Sequence, residues 1–278
     1  MKKITLLCVF IVFFSGVTAG GGWPQNKNNG YIKLSHYRIK ANYFFDETGS
    51  IIPIQTISYF NNTFYAEYGI TSRFTAITNF SFFSGSIQKE NTTLNIAKDK
   101  IYSLGDSDIT LKYGLIPKGK IVLSTSLTFG IPLGINHGGV EQNLQTGDGE
   151  FNQMISIDLS GSFGGGKFYF STLMGFNNRT ENFSDEIRYG FELVYKYSKI
   201  WSINRAYGIK SLNTGNESSI YSLGIFNNNT EFFSITPEIV YEAKENFGIT
   251  FSAGFAPYGK RIMANPSFSA GIYMKFIQ

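Results

Sequence analysis

Charged side chains recur at every second position in several segments of this 278-residue chain, on the side opposite the apolar residues. Residues in that pattern share one face of a β-strand. If such strands enclose water, the charges line a passage and set its ion preference. The alternative is a lattice of ion pairs that stiffens the wall, and the mixture of signs argues against strong charge selection. The candidate pore-lining residues are Glu67, Arg73, Asp108, Lys112, Lys120, Asp158, Arg188, Glu192, Lys196, Glu238 and Lys275.

A second set of carboxylates lies where polar loops lead into alternating segments. Asp106, Asp148 and Glu150 belong to the glycine-containing stretches GDSD and TGDGE. Oxygen ligands suit Ca²⁺ or the divalent ions that bridge lipopolysaccharide, so these three are the candidate metal ligands. Asp and Gly are also ordinary turn residues, and neither stretch has the spacing of an EF-hand loop. No other motif predicts a cofactor.

Hydrolytic chemistry needs a nucleophile with a histidine in reach, and the chain has only His36 and His137. His36 lies in or beside a predicted strand, and His137 lies in a glycine-rich loop with no G-x-S-x-G segment nearby. No Cys/His cluster suggests zinc, and no P-loop is present. We therefore expect that the protein is not an enzyme.

The polar residues need strands to position them, and the clearest pair lies between Gly105 and Gly134. Ile109 and Leu111 alternate there with Thr110 and Lys112, and the pattern repeats after a Pro-Lys-Gly-Lys turn. Each arm runs roughly 9–11 residues, the length that crosses a tilted bilayer, whereas most soluble strands run ~5–6 residues. The hairpin predicts a transmembrane β-barrel with lipid outside and a polar lumen.

Similar alternation along 31–278 predicts an all-β, antiparallel transmembrane barrel of about twelve strands. Long and short connections alternate, which is typical of outer-membrane barrels with short periplasmic turns, long extracellular loops and both termini periplasmic. We assign 46–55 and 84–104 to loops. Arg205 shares its side with Trp201 and Ile203, so a bulge is needed to turn it away from lipid, and Pro237 predicts a local break in pairing.

The N-terminus predicts secretion. Residues 1–19 have the charged, apolar and small-residue parts of a signal peptide, which holds the chain's single cysteine, Cys8. The mature chain is expected to have no disulfide, and its formal charge falls from +4 to +2 when Lys2 and Lys3 leave. That charge gives no case for nucleic acid. Residues 20–30 form a polar leader, expected either as a loose tail or inside the barrel.

The segments GDSDITLKY from Gly105, LQTGDG from Leu144 and Thr236-Pro237-Glu238 resemble the outer-membrane barrel family named after the meta pathway of phenol degradation. The resemblance spans most of the mature chain, though its motifs are short. It implies a channel for small, often hydrophobic or aromatic, compounds. It implies no catalytic residues.

We interpret the chain as a barrel of a Gram-negative-type outer membrane that takes up small molecules passively or by facilitated diffusion. Its expected partners are membrane lipid, lipopolysaccharide and a small solute; the sequence leaves the oligomeric state open. The alternative is a non-conducting structural or adhesive barrel whose loops bind a surface partner. Polar loops rich in Asn, Ser and Thr fit both interpretations.

Overall fold

The computed structural model describes residues 21–91, 97–216 and 223–277, and their regular structure is β-strand. The strands are β1 Gly30–Phe45, β2 Ile51–Gly69, β3 Phe74–Gln88, β4 Asp99–Ser103, β5 Ser107–Ile116, β6 Ile121–Ile131, β7 Asn152–Phe163, β8 Phe168–Arg179, β9 Glu186–Tyr197, β10 Ile200–Ser211, β11 Glu231–Lys244, β12 Phe247–Lys260, β13 Ile262–Met263 and β14 Ser267–Phe276. The predicted signal peptide, 1–19, lies outside the described residues.

The sheet closes on itself as an antiparallel barrel. Strand β1 pairs with β2 on one side and with β14 on the other, so the sheet has no free edge there. The short strands β4 and β13 extend β3 and β1 beyond the barrel wall, which leaves the predicted 12 strands in the wall itself. Closure pairs the backbone polar groups that lipid could not hydrate.

Alternating side chains explain why these segments are strands. In β7, Ile155 and Ile157 are 58% and 56% exposed on the outer face. Ser156 and Asp158, between and after them, are buried on the inner face. An apolar exterior around a polar interior is the arrangement that lipid favours. Among the described residues, no helix is long and apolar enough to cross a membrane.

The two ends of the barrel differ. One end, called here the turn end, holds the start of β1, the end of β14 and the short connections. These connections are 70–73, 117–120, 164–167, 198–199 and 245–246. The other end, the loop end, carries the long connections 132–151 and 212–230.

Two of the predicted loops are partly strand. Strand β2 begins at Ile51, and β3 continues to Gln88 and pairs with β4. The alternation of apolar and polar residues in β3 was hidden by a bulge. The β2–β3 register shifts there, and the consecutive residues Phe82 and Phe83 are both exposed. Beyond that bulge the inner residues are serines and the outer ones include Gly85, so hydrophobic contrast is weak.

The predicted outward side of β10 is its inner side. Trp201 and Ile203 are buried inside the barrel together with the inward-facing Arg205, and the register of β10 is continuous with both neighbours. No bulge is needed, because apolar side chains here fill the lumen. At Pro237 the pairing of β11 with β10 also continues. On its other side, β11 pairs with β12 at Ile235 and again at Glu238 in the same register, but not at the two residues between them. The predicted break therefore exists on one side only.

Candidate channel lumen

The inner faces of the strands enclose a chamber of about 430 Å³ near the middle of the barrel. Charged side chains of both signs reach it from different walls, together with hydroxyls and amides. The charged lining residues are Lys33, Asp108, Lys112, Asp158, Arg188 and Arg205. Apolar side chains, among them Ile77, Met154 and Leu173, also line it, so the chamber offers both polar and apolar contacts.

One wall of the chamber is held by a connected set of ion pairs. Arg205 Nε lies 2.7 Å from Glu192 Oε2, and its Nη1 lies 2.9 Å from Glu238 Oε2. Lys33 Nζ approaches the other oxygen of Glu238 at 3.4 Å. Residues from β1, β9, β10 and β11 are thereby tied across the lumen. A guanidinium that binds two carboxylates also limits where each can move.

The facing wall is lined more sparsely. Asp158 on β7 accepts hydrogen bonds from the hydroxyls of Ser126 and Ser156 at 3.3 and 3.5 Å. Lys112 on β5 is buried and donates to the carbonyl oxygen of Gly21. Charges of opposite sign thus face the chamber from separate positions, rather than cancelling in one close pair.

The leader lies inside the lumen at the turn end. Its Gly22 N–H donates to Ser160 Oγ on β7 at 2.7 Å, and Ser124 Oγ donates back to the Gly22 carbonyl. Near the base of β1, the Gln25 N–H donates to Thr75 Oγ1 at 2.8 Å and the Gln25 amide donates to Glu67 Oε2 at 2.7 Å. The segment therefore crosses from the wall of β2 and β3 to the wall of β7.

Close backbone approaches fix the path of the leader. A Cβ at Gly22 would lie 2.8 Å from the Asp158 carbonyl oxygen, and one at Gly21 would lie 2.7 Å from Ser171 Oγ. At Gly69, a Cβ would meet the Asn26 carbonyl oxygen at 1.9 Å. These glycines let the leader lie directly against the wall.

An aromatic layer fills the rest of the lumen at the turn end. Trp201 is 1% exposed; its ring stacks on Tyr169 at 6.2 Å, and Tyr169 meets the leader's Trp23 at 6.1 Å. Tyr31 stacks on Tyr273 at 5.6 Å. The layer and the leader together close this end.

Folded connections pack against the wall at the loop end. Leu223, Ile225 and Phe226 pack on the inner faces of β1 and β2, where Phe226 meets Tyr59 edge-on at 5.5 Å. The connection 132–151 is tied down by its buried Leu144. The folded connections therefore cover part of the loop end.

Arg179 organises the acidic residues of the loop end. Its guanidinium lies 2.8 Å from Asp148, 2.6 Å from Glu150 and 2.7 Å from Glu186. Asp106 accepts the backbone N–H groups of Gly134 and Asp148 at 2.9 and 2.7 Å. These contacts pin the connection 132–151 to the barrel rim.

Burial, and next the neighbouring Asp106 carboxyl, raise the pKa of Asp148 to about 7. Burial likewise raises the pKa of Asp106 and that of Glu150 above their ordinary values. Near neutral pH the Asp106–Asp148 pair therefore binds a proton that two separate carboxyls in water would have released.

Asp106, Asp148 and Glu150, the candidate metal ligands, do lie near one another at this rim. Asp148 and Glu150 both bind the Arg179 guanidinium, which takes the place that a cation would need. Within 21–91, 97–216 and 223–277, no group of three or more His, Cys, Asp or Glu side chains is arranged to hold a metal ion. The metal site stays a prediction without geometric support.

The predicted pore-lining residues fall into three groups. Asp108, Lys112, Asp158 and Arg188 line the chamber directly. Glu192 and Glu238 form the ion-pair wall described above.

The second group lies at the turn end, below the chamber. Glu67 is bound by the leader, while Lys275 and Lys196 lie 3.0 and 3.6 Å from Glu242. The third group, Arg73 and Lys120, is exposed at the turn-end surface because these residues lie in or beside the turns. A role in conduction stays a prediction for all three groups.

Sequence reasoning missed Lys33, Arg205 and Arg179 as lumen and rim residues. Lys33 lies on the same side of β1 as Tyr31 and Ser35. The every-second-residue pattern was therefore present, but in a strand whose alternation looked irregular. The inward orientation of Arg205 was not recognised because the lumen residues on the same side of its strand are apolar. Arg179 is the last residue of β8 and follows two asparagines rather than an alternating pattern, so nothing in the sequence marked it.

Comparison with solved structures shows a shared fold. An outer-membrane channel from Pseudomonas putida F1 superposes with a TM-score of 0.64 at 11% sequence identity, covering 94% of this chain and 100% of that one. The KdgM porin in complex with disordered oligogalacturonate gives a TM-score of 0.51 at 6% identity, covering 89% and 99%.

The translocator domain of the autotransporter NalP from Neisseria meningitidis gives a TM-score of 0.51 at 10% identity, covering 92% of this chain and 91% of that one. No family model and no curated protein matches the sequence, so the resemblance to the meta-pathway family has no further support. The chain thus has the closed barrel fold that these outer-membrane proteins share.

Proposed function

We propose that the protein is a channel of a Gram-negative-type outer membrane for small solutes. The observation that carries the proposal is the charged chamber of about 430 Å³ inside a closed barrel. A barrel with a purely mechanical role has no need for a hydrated space lined by charges of both signs. Two of the similar structures are described as a channel and a porin, in keeping with this role.

In the proposed orientation, the turn end and both termini face the periplasm and the loop end faces outward. The chamber's lining favours small polar solutes, zwitterions included, because a positive and a negative end could each find a partner. Lys33 and Arg205 supply cations, and Asp158 supplies an anion. A hydrophobic or aromatic solute, implied by the family resemblance, would contact the apolar side chains of the lining, such as Ile77, Met154 and Leu173.

The leader is the removable closure. It is attached by hydrogen bonds to side chains such as Thr75 and Ser160 and to the Gly69 backbone, and it forms no strand with the wall. We propose that conduction requires this segment to leave the lumen.

The test is single-channel conductance in a planar bilayer, comparing the mature chain with a variant that lacks residues 20–29. We expect discrete openings in both proteins and a larger open probability in the shortened one. If the shortened barrel is folded, inserts and never conducts, the channel proposal fails.

A disulfide gives the matched control. The Gln25 N–H lies 2.8 Å from Thr75 Oγ1, so Gln25→Cys with Thr75→Cys places two thiols close together in a mature chain that otherwise lacks cysteine. Oxidation should abolish openings, and reduction should restore them. Each single-cysteine variant should conduct whether oxidised or reduced. Openings that persist under oxidation would rule out the leader as the gate.

The second candidate function is a non-conducting structural barrel, favoured by the aromatic layer at the turn end. Tyr31, Trp201 and Tyr273 are each at most 3% exposed, so they form a packed core inside the lumen. That core would block passage even without the leader. The shortened variant distinguishes the two functions, because only the channel should conduct after the leader is removed.

A further inference from the structure

Cations face outward from one sector of the barrel wall near the loop end. Arg38 and Lys40 alternate with Ile39 and Ala41, whose side chains are buried on the inner face, so the two cations lie on the outer face. Lys100 on β4 is exposed on the same side as Tyr102. We call Arg38, Lys40 and Lys100 the cationic face.

Strand register places Lys40 and Lys100 in one row, three strand spacings or ~14 Å apart, with Arg38 in the adjacent row. Lys40 is opposite Ser58, Ser58 is opposite Ile87, and Ile87 is opposite Lys100. The next row toward the turn end runs from Arg38 through Phe60 and Gly85 to Tyr102. The cationic face therefore occupies two adjacent rows across β1 to β4.

These cations differ from the cations of the lumen. Lys33, Arg205 and Lys275 each have a carboxylate within 3.4 Å. In the part of the chain that the structure describes, Arg38, Lys40 and Lys100 have no ion-pair partner, and Lys100 Nζ lies 5.7 Å from the centre of the Tyr102 ring. An arginine or lysine that faces lipid costs roughly 2–4 kcal/mol at mid-membrane and ~0–1 kcal/mol near the interface. The cationic face fits an interface that supplies anions.

An aromatic surface lies beside the cations. The rings of Phe60, Phe83 and Tyr102 lie 5.6 to 6.1 Å apart, centre to centre, and the last two are each 46% exposed. A Cβ at Gly85 would lie 2.6 Å from Phe60 and 2.7 Å from Tyr102, so glycine is what lets these rings meet. The surface suits an acyl chain, while the cations suit a phosphate.

The neighbouring sector of the wall is apolar toward the loop end. The outer faces of β5 to β8 carry Ile109, Phe129, Ile155 and Phe176 toward the loop end. The positive charge is thus absent from the outer faces of β5 to β8, and the exposed Lys210 on β10 differs because its Nζ lies 2.6 Å from Glu231.

We propose that the cationic face binds a phosphorylated glycolipid of the outer leaflet, with its phosphates on Arg38, Lys40 and Lys100 and an acyl chain on the aromatic surface. Paired phosphates match neighbouring cations better than the single phosphodiester of a phospholipid does. The site relies on the proposed orientation of the loop end but not on conduction. It also uses different residues from the predicted acidic metal site.

The experiment measures lipid A retained by the full mature barrel after delipidation in detergent and titration with lipid A of defined phosphate content. The test variant is Arg38→Gln/Lys40→Gln/Lys100→Gln. The control variant, Lys118→Gln/Lys120→Gln/Lys167→Gln, removes the same charge from exposed or partly exposed turn-end positions. Heat-dependent gel mobility checks that each variant is folded.

We expect the test variant to bind bisphosphorylated lipid A at least about tenfold more weakly, because it loses three cations that attract the phosphates, and the control to bind as wild type does. Equal losses in both variants would overturn the proposal in favour of unspecific charge. Equal binding of dephosphorylated lipid A, or displacement by phosphatidylglycerol at equal concentration, would also overturn it. Displacement by inorganic phosphate alone would identify an anion site rather than a lipid site.

Discussion

At the scale of single residues, Arg205 has the most partners in the lumen wall. It neutralises Glu192 and Glu238, which would otherwise repel each other across β9 to β11. Removing one partner of a buried ion pair is costly because the remaining charge keeps its desolvation penalty. The integrity of this wall therefore depends on one guanidinium.

We expect Arg205→Ala to lower the free energy of unfolding by about 2–3 kcal/mol. This is less than for a fully buried pair because the Arg205 side chain is 25% exposed. Urea unfolding in lipid vesicles, followed by tryptophan fluorescence, measures the change. Arg205→Lys keeps the charge and should lose less. An unchanged midpoint for Arg205→Ala would show that water screens the two carboxylates well enough without it.

Asp148 predicts a pH dependence at the loop end. Its pKa is raised from 3.8 to about 7, so the folded loop keeps a proton that the unfolded chain loses above pH 4. The folded arrangement is therefore fully stable below that pH and loses stability as pH rises toward 7. Hydrogen exchange at the amides of Gly134 and Asp148 should accelerate across this range beyond the intrinsic rate increase. Asp148→Asn should flatten the excess, and the prediction fails if the excess persists in that variant.

Whether the orientation of a single residue can be predicted depends on the residue types on the two faces of its strand. Asp158 and Lys112 were predicted to face inward because their neighbours Ile157 and Leu111 are apolar and face lipid. The side of Arg205 was ambiguous, because Trp201 and Ile203 on the same side are apolar residues that fill a lumen rather than meet lipid. Alternation identifies two faces, and only packing tells which face is inside.

At the scale of elements, the leader depends on the small size of Gly69. We expect Gly69→Val to undock it, because even a Cβ would approach the Asn26 carbonyl oxygen to 1.9 Å. Trypsin should then cut after Lys27 in the folded barrel several times faster than in wild type. Gly190→Ala, whose added Cβ would have no neighbour closer than 3.4 Å, is the control. Equal cleavage in all three proteins would contradict the docked leader.

The elements themselves were predictable to different degrees. Strands such as β6 and β7 have clean contrast and ended within a few residues of their predicted limits. The extension of β3 and its pairing with β4 were not predictable, since Ser84, Ser86 and Gln88 face inward opposite glycine and isoleucine. The leader's location was left open because its hydrogen bonds are to residues far along the chain.

At the scale of the whole molecule, the pairing of β1 with β14 closes the barrel. Tyr37 lies directly opposite Ser269, so Tyr37→Cys with Ser269→Cys should form a disulfide in the folded protein. Gel mobility before and after reduction detects it. Tyr37→Cys with Ser252→Cys lies two strands apart, ~9–10 Å, and should not cross-link. Absence of the first cross-link would contradict closure.

The overall architecture followed from the sequence because a membrane permits few solutions. Long alternating strands without an apolar helix leave a closed barrel as the arrangement that pairs every strand edge. The closed state of the lumen did not follow, since it depends on apolar side chains such as Trp201 pointing inward and on loops folding over the opening.

The contacts of the leader with distant strands also imply an order of assembly. Gly22 binds Ser160, a residue 138 positions later that belongs to β7. Strand β7 is the sixth of the twelve wall strands, so this partner is not in place until half of the wall has formed. The first described residues of the chain are consequently among the last to take their place. Until the leader docks, the turn end of the newly assembled barrel is open. Docking of the leader completes assembly.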